Sequence, residues 1–135
     1  MSYLLDTDVC IDLLRNKSPE RVEPLLRIFE KLGGTDCLTS AVVEGELRMS
    51  ALRAVDPELA KGKVEKFLKQ FSVLPIDRKV AEKYAELRAG LEAEGNSIGA
   101  NDLFIAATAI LYDLILVTRN TRDFSRVPGI RLANL

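Results

Sequence analysis

The sequence predicts a layered α/β domain built on a parallel sheet. Short apolar segments recur along the chain without polar alternation, as in strands buried on both faces. Longer segments with helical apolar spacing separate them. Such alternation yields parallel strands joined by right-handed crossovers. The chain has 135 residues, 47% of them apolar, with no repeat or low-complexity tract, so residues 1–135 are expected to form one domain.

Tyr3-Leu4-Leu5 reads as the first strand and stops at Asp6. Asp8 is placed to cap a helix through Val9, Ile11, Leu13 and Leu14. A helix from Glu20 to Leu32 meets an obstacle at Pro24, which leaves its start open. Cys37-Leu38, after Gly33-Gly34-Thr35-Asp36, reads as a second strand ending at Thr39-Ser40. The following helix has Val43, Leu47, Ser50, Ala51 and Ala54 as its small, apolar stripe. Asp56-Pro57 supplies an N-cap and a first-turn proline for a helix through Leu59, Phe67, Leu68 and Phe71. Val73-Leu74 is a third strand, ended by Pro75. Asp77 caps the helical spacing Val80, Tyr84, Leu87, Leu91, which Gly95 closes. From Ala100 to Tyr112 nearly every residue after Asp102 is apolar, predicting a buried helix. Leu114 to Val117 is the strongest strand, and Ile130-Arg131-Leu132 a short last one. The helix aromatics Phe67, Phe71 and Tyr84 are expected to pack in the core.

Composition narrows the chemistry. The chain has no histidine, which removes His general bases, Ser-His-Asp and Cys-His triads, and His-ligated zinc or haem. No apolar run is long enough to span a bilayer, and the start lacks the pattern of a secretory signal. Cys10 and Cys37 form no CxxC pair and read as small core residues, so a reduced, cytoplasmic setting is expected. Lys and Arg total 19 against 20 Asp and Glu, which excludes a polycationic nucleic-acid coat but permits a local basic rim.

Ligands of parallel sheets bind beyond the carboxyl ends of the strands. Asp6 stands at such an end, although a strand-terminal Asp can equally serve only as a helix cap. Glu44 and Glu46 lie about 200° apart around their helix. Glu44 has Arg48 at i,i+4 and reads as an exposed pair, whereas Glu46 has no local partner and is chosen for the strand ends. Asp102 opens the apolar helix, where it can favour the helix dipole or be held as a ligand. Asp123 follows the strongest strand, between a ligand role and a loop acid balanced by Arg119 and Arg122. Each acid alone is weak; together, four occupy equivalent places beyond strands. Clustered carboxylates repel unless a cation neutralises them, and carboxylates without His or thiolate suit Mg²⁺ or Mn²⁺.

Four segments in order carry a resemblance. They are Leu4-Leu5-Asp6-Thr7-Asp8, Thr39 to Arg48, Ile98 to Ala107, and Leu116 to Phe124. With them the chain resembles the PIN-domain ribonucleases, specifically the VapC-type toxins of toxin–antitoxin pairs; Pro128-Gly129-Ile130 looks like that family's closing strand. The resemblance implies a PIN-like three-layer α/β/α domain with a mostly parallel sheet of about five strands. It places the family's acidic quartet on Asp6, Glu46, Asp102 and Asp123, as catalytic residues and metal ligands, with Asp6 and Asp102 principal. Thr118 and Asn120 match positions that help to order the site. Two departures are visible: Asp8 where the family usually has Asn, and Ser50 where glycine is common. The implied activity is a Mg²⁺- or Mn²⁺-dependent endoribonuclease, in which a metal-activated water attacks an RNA phosphate in line and leaves 5′-phosphate and 3′-hydroxyl ends. Arg15, Lys17, Arg119, Arg122 and Arg126 are candidates to touch RNA phosphates. A homodimer and a cognate antitoxin are implied as partners. Two other readings compete: a haloacid-dehalogenase-like phosphatase using Asp6 and Asp8, and an inactive PIN-like binding scaffold.

Overall fold

The computed structural model describes residues 2–15, 19–32 and 37–133. Its core is a four-stranded, wholly parallel sheet: β1 (Tyr3–Leu5), β2 (Cys37–Ser40), β3 (Ser72–Leu74) and β4 (Ile115–Val117), in the order β3-β2-β1-β4. The connecting helices are α1 (Thr7–Arg15), α2 (Pro19–Leu32), α3 (Ala41–Leu52), α4 (Pro57–Leu68), α5 (Arg78–Ala93) and α6 (Ala100–Leu111); the short α7 (Thr121–Phe124) follows β4. Leu4, Leu5, Leu116 and Val117 are fully buried, as expected for strands covered on both faces. Cys10 and Cys37 are buried thiols within that core.

The local signals in the sequence act as read. The Asp56 side chain accepts from the Leu59 N–H at 3.2 Å, and Asp77 from the Val80 N–H at 3.0 Å. Gly95 adopts a positive φ of 76° just past α5, a backbone that favours glycine. Phe67 is buried, with Phe71 and Tyr84 partly buried against the core. Helix α2 runs through Pro24 from a start at Pro19. Residues 33–36 lie outside the described residues.

Two expectations are corrected. Asp8 does not cap α1. The helix begins at Thr7, and the Asp6 carbonyl accepts the Cys10 N–H at 3.1 Å, so Asp6 takes the cap position and Asp8 sits in the first turn. The expected fifth strand at Ile130–Leu132 is, among the described residues, a single bridge pairing Leu132 with Leu116. The Ile130 N–H is already committed to a turn back to the Val127 carbonyl at 3.3 Å, and Gly129 has φ 82°, which leaves too little extended backbone for a ladder.

The strand order defines where a site can form. From β1 the chain steps through β2 to β3, then returns to lay β4 on the opposite side of β1. The crevice beyond the carboxyl ends of β1 and β4 is therefore the topological switch point, where open α/β sheets receive ligands.

Candidate active site

Parallel register pairs Leu5 with Val117, so the next residue of each strand, Asp6 and Thr118, leave the sheet side by side. The Asp6 N–H donates to the Val117 carbonyl at 3.0 Å and anchors the turn. The Asp6 side chain is 4% exposed. Its Oδ2 accepts the Thr118 hydroxyl at 2.6 Å and its Oδ1 the Thr7 N–H at 2.8 Å. The Thr118 Oγ1 in turn accepts the Asn120 N–H at 3.1 Å. Burial pushes the Asp6 carboxyl above its ordinary range; the two hydrogen bonds oppose this, and the nearby charge of Asp8 adds to it.

Glu46 reaches the same place from α3. Its Oε1 accepts the Thr7 hydroxyl at 3.0 Å. Burial raises its pKa first, against the Thr7 bond, and the charges of Asp6 and Asp8 raise it further. Glu44 points elsewhere and pairs with Arg48 at 2.8 Å. Ser40, at the end of β2, caps α3 by accepting the Val43 N–H, and so sets the helix that carries Glu46.

Asp102 lies half-buried in the first turn of α6. Its pKa is pushed up to about 6, by burial first and then by the charges of Asp6, Glu46, Asp123 and Asp8. Asp123 in α7 is held by Asn120, whose Nδ2 donates to Oδ2 at 3.2 Å while Asn120 Oδ1 accepts the Asp123 N–H at 3.4 Å. Arg126 stands 3.9 Å from Asp123. Asp102 is thus within electrostatic reach of the other three acids named by the sequence, and Asp8 joins them from the exposed side of α1.

Two side chains escaped the sequence reading. Thr7 bridges the two carboxylates, donating its N–H to Asp6 and its hydroxyl to Glu46; its place inside Asp6-Thr7-Asp8 was the available signal. Asp12 is 4% exposed and accepts from the Arg119 Nε at 2.7 Å. A lone acid within Cys10-Ile11-Asp12-Leu13-Leu14 hinted at a buried ion pair. Of the basic candidates, Arg15 and Arg122 are exposed, Arg126 neighbours Asp123, Arg119 is engaged by Asp12, and Lys17 lies outside the described residues. A groove of about 970 Å³ runs between α1, α3 and α4 to Glu46 and Asn101, with Arg15, Arg53 and Lys63 along it. Ser50 also lines it, half-buried.

The donor set fits a hard divalent cation. Every candidate ligand is an oxygen, and among the described residues Asp6, Glu46 and Asp102 take part in no ion pair that would neutralise them. No three of the described acids form a closed cage. A hard cation that keeps several of its waters needs only one or two carboxylates directly and does not require such a cage.

Residues 3–130 match the PIN domain. The chain is 34% identical over 134 residues to Ribonuclease VapC2 of Rickettsia felis, covering 99% of this chain and 98% of that protein. It is 33% identical over 132 residues to the tRNA(fMet)-specific endonuclease VapC of Salmonella typhimurium, covering 98% and 96%. The DNA-bound VapBC structure from Salmonella typhimurium superposes with a TM-score of 0.89 at 32% identity, covering 98% and 97%. Those matches displace the haloacid-dehalogenase-like alternative and agree with the sheet order and the acid-lined switch point: the chain belongs to the PIN-domain family, among its VapC-type members.

Proposed function

We infer that this chain is a metal-dependent endoribonuclease and the toxin of a toxin–antitoxin pair, acting in the cytoplasm as a single PIN-like domain over residues 1–135. One observation carries the reading. A buried Asp6, held only by neutral donors, gathers with Glu46 and Asp102 at the switch point, and among the described residues none of these three has an ion-pair partner, while Asp123 has Arg126 at 3.9 Å. The names of the Rickettsia felis and Salmonella typhimurium relatives, a ribonuclease and a tRNA endonuclease, support RNA as the substrate.

Asp6 and Asp102 are the principal ligands of Mg²⁺ or Mn²⁺, with Glu46 and Asp123 joining directly or through water. When bound, the ion activates water and shields charge at the scissile phosphate. Thr118 and Thr7 fix the Asp6 carboxylate, and Thr7 also fixes Glu46, so these oxygens need little reorganisation. Asn120 holds Asp123 in place. Arg15 and Arg122 are free to meet RNA phosphates from the rim. The groove along α3, with exposed Met49, Leu52 and Leu59 near it, supports an antitoxin segment as its occupant; the Salmonella typhimurium neighbour is itself a VapBC assembly. A homodimer is part of the same reading.

The purified chain is expected to cleave RNA with Mg²⁺ or Mn²⁺, leave 5′-phosphate ends, and stop with EDTA. Asp6→Asn or Asp102→Asn should lower the rate roughly 100-fold or more. RNA cleavage that persists in EDTA overturns the metal mechanism. Antitoxin binding without any cleavage identifies an inactive scaffold.

A further inference from the structure

The loop after β4 sends three successive side chains to three different anchors. Thr118 reaches Asp6 at 2.6 Å, Arg119 reaches Asp12 at 2.7 Å, and Asn120 reaches Asp123 at 3.2 Å. Asp12 lies on α1, the helix that begins beside Asp6. The Asp12 side chain is 6% exposed and that of Arg119 26%. The loop is therefore tied at two points, once to the Asp6 carboxylate just before α1 and once to Asp12 within α1.

We propose that Arg119 is a positioning residue, clamped by Asp12, that holds Thr118 and Asn120 against Asp6 and Asp123, rather than a contact for RNA. Three features carry this. A guanidinium kept for substrate would be left uncommitted, whereas the Nε of this one is spent on a buried carboxylate. Removing Arg119 takes the guanidinium away from a buried carboxylate, and removing Asp12 takes away the carboxylate that holds the guanidinium, so each loss bears on the same contact. The rotation freed at Arg119 passes directly to its two neighbours in the chain, whose hydrogen bonds order the site, and losing such outer support typically lowers metal affinity or activity about 10–100-fold.

The proposal rests on the ribonuclease reading for its kinetic test but not for its structural one. Arg119→Gln, Asp12→Asn and the double variant are assayed for kcat and KM on RNA with Mg²⁺, and for hydrogen exchange of the Asn120 and Asp123 amides. Both single variants are expected to lower kcat about 10–100-fold at nearly constant KM. The double variant is no worse than either single one, and both amides lose protection. Arg119→Lys, which keeps a positive charge near Asp12, recovers part of kcat. The proposal is overturned if Arg119→Gln raises KM and flattens the salt dependence of RNA binding while Asp12→Asn behaves as the parent, the pattern of a phosphate contact. It is overturned equally if the amides keep their protection in both single variants. A parent chain that cleaves no RNA defeats the ribonuclease reading alone, since the exchange measurement still decides the clamp.

Discussion

Asp102 holds a charge that the metal-free protein would rather lose. Its carboxyl sits at about 6 because burial and four acidic neighbours oppose ionisation. A carboxyl whose folded pKa lies above its unfolded value binds its proton more tightly when folded. The stability this gives is complete at low pH and is lost as pH rises from about 4 through about 6. Asp102→Asn should therefore stabilise the EDTA-treated chain at pH 7. The gain is on the order of 1 kcal/mol after allowing for solvent screening at this half-exposed group, or about 4 °C in Tm, while cleavage falls roughly 100-fold or more. Calorimetry beside an RNA assay checks both halves. Ligands must also be deprotonated to bind an ion, so Mg²⁺-dependent turnover should fall as pH drops below about 6. The neighbouring glutamates give a sharper contrast. Glu46→Gln should cost at least ~10-fold in kcat, whereas Glu44→Gln, which only breaks an exposed pair with Arg48, should stay within about twofold.

Helix α3 is positioned by its first residues. Ser40 both ends β2 and caps α3, so strand and helix meet at one residue at the start of the helix that carries Glu46. Ser40→Ala should cost about 1 kcal/mol in denaturant unfolding and reduce kcat more than that loss of folded protein explains, because Glu46 shifts relative to Thr7. What the sequence made legible at this scale was local. Asp56 and Asp77 announced their helices because a cap is satisfied within three residues. Glu46 was separable from Glu44 because helical angles follow from spacing alone. Asp12 was hidden because its partner lies 107 positions away. Thr7 was hidden because its hydroxyl has meaning only once α3 is brought beside α1. The overestimated last strand has the same origin: Ile130 to Leu132 has strand-like composition, but a tertiary turn consumes its backbone donor.

For the molecule as a whole, the order β3-β2-β1-β4 was not readable in advance, yet it decides which strand ends meet. It alone makes β1 and β4 neighbours and so brings Asp6 against Thr118. The same convergence leaves a net negative crevice that folding must tolerate, and an ion that binds only the folded state should relieve it. Adding Mg²⁺ or Mn²⁺ at about 100 times its Kd should stabilise the protein by about 2.7 kcal/mol, seen as a rise in Tm that EDTA reverses. Asp6→Asn should show little of that rise.

The sheet also has boundaries. On one side β3 is a three-residue strand that runs straight into Pro75, and on the other the Leu132 bridge covers β4. Exposed strand edges are templates on which foreign chains polymerise, and short or covered ones resist it. With both rims short or bridged, strand addition by a second protein is disfavoured, and helical surfaces are the better ground for assembly. A chain built in this way can be held by a partner for long periods without its own sheet seeding aggregates.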